Sequence, residues 1–209
     1  MKLLVLGATG GAGKAIVRLA KARGHEVSVL ARNPGKARDL GTVRIVQGDA
    51  LDPGALARAL EGAEAVISAL GTPASPFREV TLLSSNARIL TAEMRRQGVT
   101  RLIAITGMGA GDSAGHGGFF FDRVFRPFML RQVYRDKDRQ EAMIRGSGLN
   151  WTIVRPSILN DEPARGSVRA LTDLSAFHGG TISREDVARF VLDELDAGAW
   201  TGKAPLITW

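Results

Sequence analysis

The stretch Met1-Lys-Leu-Leu-Val-Leu-Gly7-Ala-Thr-Gly10-Gly-Ala-Gly13-Lys-Ala-Ile16 decides how the rest of the chain is read. Met1 to Leu6 is a continuous apolar run, the pattern of a strand buried on both faces. Gly13 to Ala22 then sets Ala15, Ile16, Leu19 and Ala22 on one helical face. Between them the glycines are spaced G-x-x-G-x-x-G, which differs from the G-x-G-x-x-G dinucleotide fingerprint but meets the same mechanical needs. Gly7 permits a tight turn off the strand, Gly10 lets the backbone approach a pyrophosphate, and Gly13 lets the helix pack closely on the sheet. Unpaired N–H groups and the positive end of the helix dipole would face the anion, with Thr9, Gly11 and Ala12 completing the loop. The alternative is an ordinary glycine turn.

Outward from this unit, short β-rich runs alternate with longer helical patterns. Strands are expected near Glu26 to Ala31, Val43 to Gln47, Ala65 to Leu70, Arg101 to Thr106 and Trp151 to Val154, with a last one at Pro205 to Thr208. Helices are expected near Pro53 to Leu60, Leu82 to Arg96, Lys137 to Arg145 and Arg184 to Leu195. Parallel strands need crossover helices, so this alternation predicts an α/β fold: a doubly wound, mostly parallel sheet with helices on both faces. No polar linker or internal repeat divides the 209 residues, which predicts one Rossmann-like domain over residues 1–209.

Composition narrows the chemistry. With 44% hydrophobic and 23% charged residues the chain reads as an ordinary globular protein. The absence of cysteine excludes disulfides, thiolate metal sites and a cysteine nucleophile. His25, His116 and His178 lie too far apart for a short metal-ligand spacing, so no metal is expected. A net charge of +7 admits acidic partners, but the basic residues are interspersed with carboxylates and Arg95-Arg96 is the sole adjacent pair. We therefore expect no nucleic-acid partner. Lys2 before an apolar run resembles a signal peptide only superficially, since glycines interrupt it at once. No run approaches the roughly 18 residues needed to span a bilayer, and a cytoplasmic protein without a membrane partner is expected.

The end of the second strand bears on which dinucleotide binds. An NAD site usually carries Asp or Glu there, whereas an NADP site presents arginine to the 2′-phosphate. Here Leu30-Ala-Arg32-Asn33-Pro-Gly-Lys36 offers Arg32, with Lys36 or Arg38 for a second contact and Asn33 beside them. The alternative is an exposed loop arginine. Gly48-Asp49-Ala50 follows the third strand, where Asp49 could accept from an adenine amino group or simply form a turn. Leu70-Gly71 follows the fourth and would let backbone pass close to ribose and pyrophosphate.

Taken together, Gly7 to Gly13, Arg32, Gly48-Asp49, Leu70-Gly71, Ser147-Gly-Leu-Asn-Trp-Thr-Ile-Val-Arg-Pro156 and Ile182-Ser-Arg-Glu-Asp-Val-Ala188 resemble the atypical short-chain dehydrogenases of the NAD(P)-binding family. The likeness is particularly to biliverdin-IXβ reductase/flavin reductase and the NmrA-like proteins, and it spans nearly the whole chain. The resemblance implies that Pro156, Ser157 and Ile158 form a loop touching the nicotinamide, with Thr106 as another neighbour. It also implies a structural helix start at Ser183, where Ser183 and Asp186 form a capping-box variant.

Most short-chain dehydrogenases pair a tyrosine with a lysine four residues later. This chain has one tyrosine, Tyr134, with Lys137 three residues on, still within one helical turn. The pair is a candidate proton donor together with Ser157 and Thr106; a packing role for Tyr134 is the alternative. Flavin and biliverdin reductases of this kind lack the pair, but here Gly107 and Ser157 replace the serine and histidine that they carry near the substrate. Gly107 to Arg135 is an unusually long connection holding Phe119, Phe120, Phe121, Phe125 and Phe128, a Phe-rich insertion at about 107–135. It could stack on a planar acceptor, bury itself in the core, or form an interface.

The leading expectation is an NADP(H)-dependent reductase passing hydride to a small-molecule acceptor: a planar flavin, quinone or tetrapyrrole-like compound, or a small carbonyl. The alternative is a non-catalytic NADP(H)-binding sensor of NmrA-like type. An epimerase is disfavoured by the missing tyrosine-lysine register, and a homodimer is left open.

Overall fold

A computed structural model describes residues 1–209. In chain order the elements are β1 (Lys2–Leu6), α1 (Gly11–Ala22), β2 (Glu26–Ala31), β3 (Arg44–Gln47), α2 (Pro53–Leu60), β4 (Ala65–Ser68), α3 (Leu82–Arg96) and β5 (Arg101–Ile105). There follow α4 (Arg131–Arg145), β6 (Asn150–Pro156), β7 (Ile158–Asn160), β8 (Arg169–Leu171), β9 (Thr181–Ser183), α5 (Arg184–Ala197) and β10 (Leu206–Thr208). Eight strands form one sheet in the order β3-β2-β1-β4-β5-β6-β10-β8, parallel except for the β10–β8 pair. The chain leaves β1 in one direction through β2 and β3, then returns to β1's other side at β4. That reversal opens a crevice at the carboxyl ends of β1 and β4, where such sheets bind ligands.

β1 shows why the sheet is buried on both sides. Leu3 and Val5 enter the core beneath α1 and α5, while Leu4 and Leu6 enter the core beneath α2, α3 and α4. Period-2 alternation with apolar residues at every position from Leu3 to Leu6 feeds both layers. The face that α1 buries is Gly13, Ile16, Val17 and Ala20. The expected stripe of Ala15, Leu19 and Ala22 is rotated from it, because close contact at Gly13 turns Val17 and Ala20 inward and leaves Ala22 exposed.

Helix starts follow local chemistry. Asp52 accepts from the Gly54 N–H at 2.9 Å ahead of Pro53, and Ser183 accepts from the Asp186 N–H at 3.1 Å. Thr81 provides no side-chain cap for α3. Instead Asp136, fully buried on α4, accepts from the Leu83 N–H at 2.7 Å and the Ser84 hydroxyl at 2.5 Å.

Several expected boundaries move. The helix placed at Lys137 begins at Arg131, and β6 extends to Asn150 and Pro156, where pairing with β5 and β10 continues the ladder. β7, β8 and β9, three residues each, were not expected. The Phe-rich segment contains a 3₁₀ turn at Gly111–Ser113 and a π-helix at Phe121–Met129.

A Cβ on Gly13 would lie 2.1 Å from the Gly7 carbonyl oxygen, whereas one on Gly10 would meet nothing nearer than 3.4 Å. Gly13→Ala is therefore expected to lower unfolding free energy by about 1–3 kcal/mol through overpacking. Gly10→Ala should cost under about 1 kcal/mol; urea denaturation of the two variants checks the difference.

Candidate functional site

The loop from β1 to α1 contains two kinds of glycine. Gly7, at φ +76°, has no room for a side chain, since its Cβ would stand 2.4 Å from the Ala69 carbonyl oxygen. Gly13 is equally crowded by Gly7 and Ala8. Gly10 and Gly71 instead border open space, and Thr9, Gly10 and Gly11 are exposed along the crevice. The Lys14 N–H makes the first bond of the helix, to the Gly10 carbonyl at 2.8 Å, so the amides of Gly11, Ala12 and Gly13 precede that ladder. A cradle of open backbone with amides at its floor suits a pyrophosphate.

At the end of β2, Arg32 and Lys36 are exposed and engaged by no carboxylate of the chain, in contrast to Lys14, which pairs with Asp39 at 2.6 Å. Asn33 caps the following 3₁₀ turn, accepting from the Gly35 N–H at 2.9 Å, and so fixes the loop that presents Arg32. Asp49 takes the turn role: its Oδ1 accepts from the Leu51 N–H at 2.8 Å. The Ala50 carbonyl accepts from buried Asn86 at 2.7 Å, which ties this rim to α3, a contact that no local pattern announces. Leu70 packs partly buried against the core beside Gly71.

Beyond the carboxyl ends of β5 and β6 lies a cavity of about 240 Å³ lined by Thr106, Gly107, Met108, Phe121, Tyr134, Lys137 and the Pro156 to Leu159 stretch. One face of α4 supplies its chemistry, because residues three and four apart align along a helix. Lys137 donates to the Thr106 carbonyl at 2.7 Å, and its Nζ lies 4.8 Å from the centre of the Tyr134 ring. Although the residue as a whole is only half-buried, its ammonium is deeply enclosed, and burial pushes its pKa down to about 8 against the pull of Glu141 and Asp138. Gly107 leaves no side chain beside that ammonium; a Cβ there would lie 3.0 Å from Nζ.

One turn further along α4, Glu141 anchors the helix to the strands. Its carboxylate accepts from Arg155 Nε at 3.0 Å, from Arg155 Nη2 at 2.5 Å, and from the Thr106 hydroxyl at 2.8 Å. Arg155 is 1% exposed and also pairs with Asp112. Burial works against the Arg155 charge, but Glu141 and Asp112 outweigh it and raise its pKa.

The hydroxyls of three candidate proton donors, Tyr134, Ser157 and Thr106, are all engaged within the protein. Tyr134 is buried, and its hydroxyl donates to the Met108 carbonyl at 2.8 Å; burial pushes its pKa up to about 12. It packs edge-on against Phe121, their ring centres 5.7 Å apart, as a wall of the cavity. The Ser157 hydroxyl is engaged with Thr208 at 3.1 Å, and the Thr106 hydroxyl with Glu141, so neither is poised to give a proton to an acceptor. Of the four, Lys137 brings an ammonium to the cavity wall. Of the five insertion phenylalanines, Phe121 turns inward, while Phe119, Phe120, Phe125 and Phe128 are at least 55% exposed. Ile158 is exposed at the rim and Pro156 buried at the floor.

The NAD(P)H-binding family model matches residues 7–197, from the first glycine of the loop to the end of α5. The chain belongs to this family. The protein described as uncharacterized sugar epimerase YhfK, from Bacillus subtilis, is 29% identical over 203 residues, covering 94% of this chain and 88% of that one. The NAD(P)H azoreductase of Xenophilus azovorans is 29% identical over 156 residues, 74% of this chain and 47% of the azoreductase. Among solved structures, ChuY of Escherichia coli O157:H7, described as an anaerobillin reductase, aligns with a TM-score of 0.86 at 26% identity, over 100% of this chain and 97% of ChuY. The expected kinship with atypical short-chain dehydrogenases of NmrA-like type holds, and NAD(P)H binding is the property its family model describes. No helix is long and apolar enough to cross a membrane.

Because Tyr134 spends its proton on Met108, Tyr134→Phe is expected to cost about 1 kcal/mol of stability for the lost buried hydrogen bond. It should leave cofactor affinity and turnover within about twofold, since the phenyl wall remains. Thermal unfolding and cofactor titration of the variant check this.

Proposed function

We propose that the protein is an NADPH-dependent reductase of a flat, largely apolar acceptor or a carbonyl compound, with Lys137 as its proton donor. The observation that carries this reading is the enclosed ammonium of Lys137 on the wall of the cavity at the ends of β5 and β6, which Pro156 and Ile158 also line. The open space at Gly10 and Gly71, the free amides of Gly11 to Gly13 and the unpaired Arg32 fit a phosphorylated dinucleotide. Gly10, Gly11 and Ala12 would hold the pyrophosphate, Arg32 and Lys36 the 2′-phosphate, Ala50, Leu70 and Gly71 the adenosine side, and Thr106 with Pro156 to Ile158 the nicotinamide. When bound, a reduced nicotinamide supplies a hydride, two electrons with one proton.

The chain's own residues supply what remains. Met108, Phe121, Tyr134 and Leu159 give the cavity apolar walls against which a planar acceptor can lie. Reduction leaves negative charge on the acceptor's oxygen or nitrogen, and the Lys137 ammonium both stabilises that charge and delivers the balancing proton. The Thr106 carbonyl holds Nζ in place throughout, and Glu141 holds Thr106. Relatives described as an azoreductase and an anaerobillin reductase support reduction as the reaction class. The decisive experiment is loss of NADPH absorbance with flavin, quinone and carbonyl acceptors offered in turn. Steady oxidation above the enzyme-free rate bears out the reading, and silence with all three overturns it.

NADPH is expected to bind more tightly than NADH by about tenfold to a hundredfold, the worth of a charge-assisted phosphate contact. Arg32→Ala should erase most of that preference while leaving NADH affinity unchanged; calorimetric titration with both cofactors tests it.

The Lys137 proton sets a pH limit of stated sign. Its pKa lies near 8, below the ordinary lysine value, so the ammonium is charged below that pH and lost above it. Turnover should therefore be sustained below pH 8 and fall as pH rises through it. Lys137→Met should lower kcat about 100-fold or more and abolish this alkaline limb, with NADPH affinity retained.

A further inference from the structure

Arg184 opens α5, yet its side chain does not run along that helix. It crosses to the phosphate loop and occupies the space where a side chain on Gly11 would stand: a Cβ there would lie 2.7 Å from both Cδ and Nε of Arg184. A cation is thereby laid beside the first turn of α1, whose free amides already make that end positive. Such an arrangement is unfavourable unless an anion joins it. In this structure the anion is Asp161, whose carboxylate accepts from Arg184 Nη1 at 2.7 Å.

The two partners differ in how firmly they are held. Arg184 is 28% exposed at its side chain, Asp161 87%, so Asp161 can swing into solvent at little cost. Both are presented by one small scaffold: β7 and β9 pair in parallel up to Asn160 and Ser183, and Asp161 and Arg184 are the next residue of each strand. Neighbouring carboxylates are otherwise engaged, Glu185 with Arg18 and Glu162 with Arg165. The chain thus carries a guanidinium at the mouth of the phosphate cradle whose only anionic partner is an exposed and replaceable one.

We propose that Arg184 is a pyrophosphate-binding arm, and that Asp161 is a stand-in which the phosphate anion displaces when the dinucleotide binds. Gly11 is then glycine so that an arginine from α5 can reach the site. This rests on the cofactor reading above. Because the pyrophosphate is common to both nicotinamide cofactors, the arm acts on NADPH and NADH alike, unlike Arg32.

The test exploits the fact that Arg184→Gln and Asp161→Asn break the same ion pair. A merely structural bridge would make the two variants behave alike. With Arg184 as the arm, Arg184→Gln weakens NADPH and NADH binding about tenfold, Arg184→Lys weakens it less, and Asp161→Asn tightens it about twofold to threefold. Calorimetric titrations at low ionic strength measure all four proteins, and thermal unfolding of the free variants confirms that they fold. Affinities that move in the same direction in the Gln and Asn variants, or that stay within twofold of the parent in Arg184→Gln, overturn the arm while leaving the cofactor reading intact. Failure of the unaltered protein to bind either dinucleotide overturns both.

Discussion

The contact on which this molecule depends is the approach of Gly13 on α1 to the Gly7 carbonyl at the end of β1, closer than any residue bearing a side chain could come. Gly7 is pressed in turn against the Ala69 carbonyl region beyond β4. Three pieces of backbone from β1, α1 and the end of β4 are thus locked together without intervening side chains. That lock sets the first turn of α1 over the reversal point of the sheet, which is where its unpaired amides can serve an anion. Gly10 and Gly71 differ from the locked pair because they face open space. The same residue type does two jobs here, packing at Gly7 and Gly13 and leaving access at Gly10.

A second lock positions the cavity at the ends of β5 and β6. Arg155 and Glu141 are both buried, and such a pair gains little net stability over an apolar substitute because each charge must first be desolvated. What it gives is placement. Glu141 binds Arg155 of β6 and Thr106 beyond β5, so α4 is held to the two strand ends that wall the cavity. Lys137, one turn earlier on the same face, is carried to the Thr106 carbonyl. Its lowered pKa and its position thus share one cause, the docking of α4 against β5 and β6. Burial shifts the two groups in opposite directions, raising the pKa of the Tyr134 phenol to about 12 and lowering that of the Lys137 ammonium to about 8.

Much of the fold was legible along the chain. The apolar run into G-x-x-G-x-x-G, and the alternation of short strands with amphipathic helices, determine a parallel sheet covered on both faces, because such strands require crossovers and such glycines require a tight strand-to-helix turn. Arg32 could be placed at the carboxyl edge of the sheet from its position after β2 alone, since strand ends in this fold collect on one edge. The limits of α2 and α3 were readable from Asp52-Pro53 and from the periodicity between Leu82 and Arg96.

Tertiary structure decided what depended on contacts distant in sequence. The hydrogen-bond partners of Tyr134 and Lys137 are Met108 and Thr106, 26 and 31 residues away. The cap of α3 came from Asp136, 53 residues beyond Leu83, and the occupant of Gly11's side-chain space came from Arg184. Local pattern reports periodicity and turn chemistry, which act over a few residues. Protonation, burial and ion pairing are set by whatever the folded chain brings within a few ångströms, and that is determined only once the sheet order is closed.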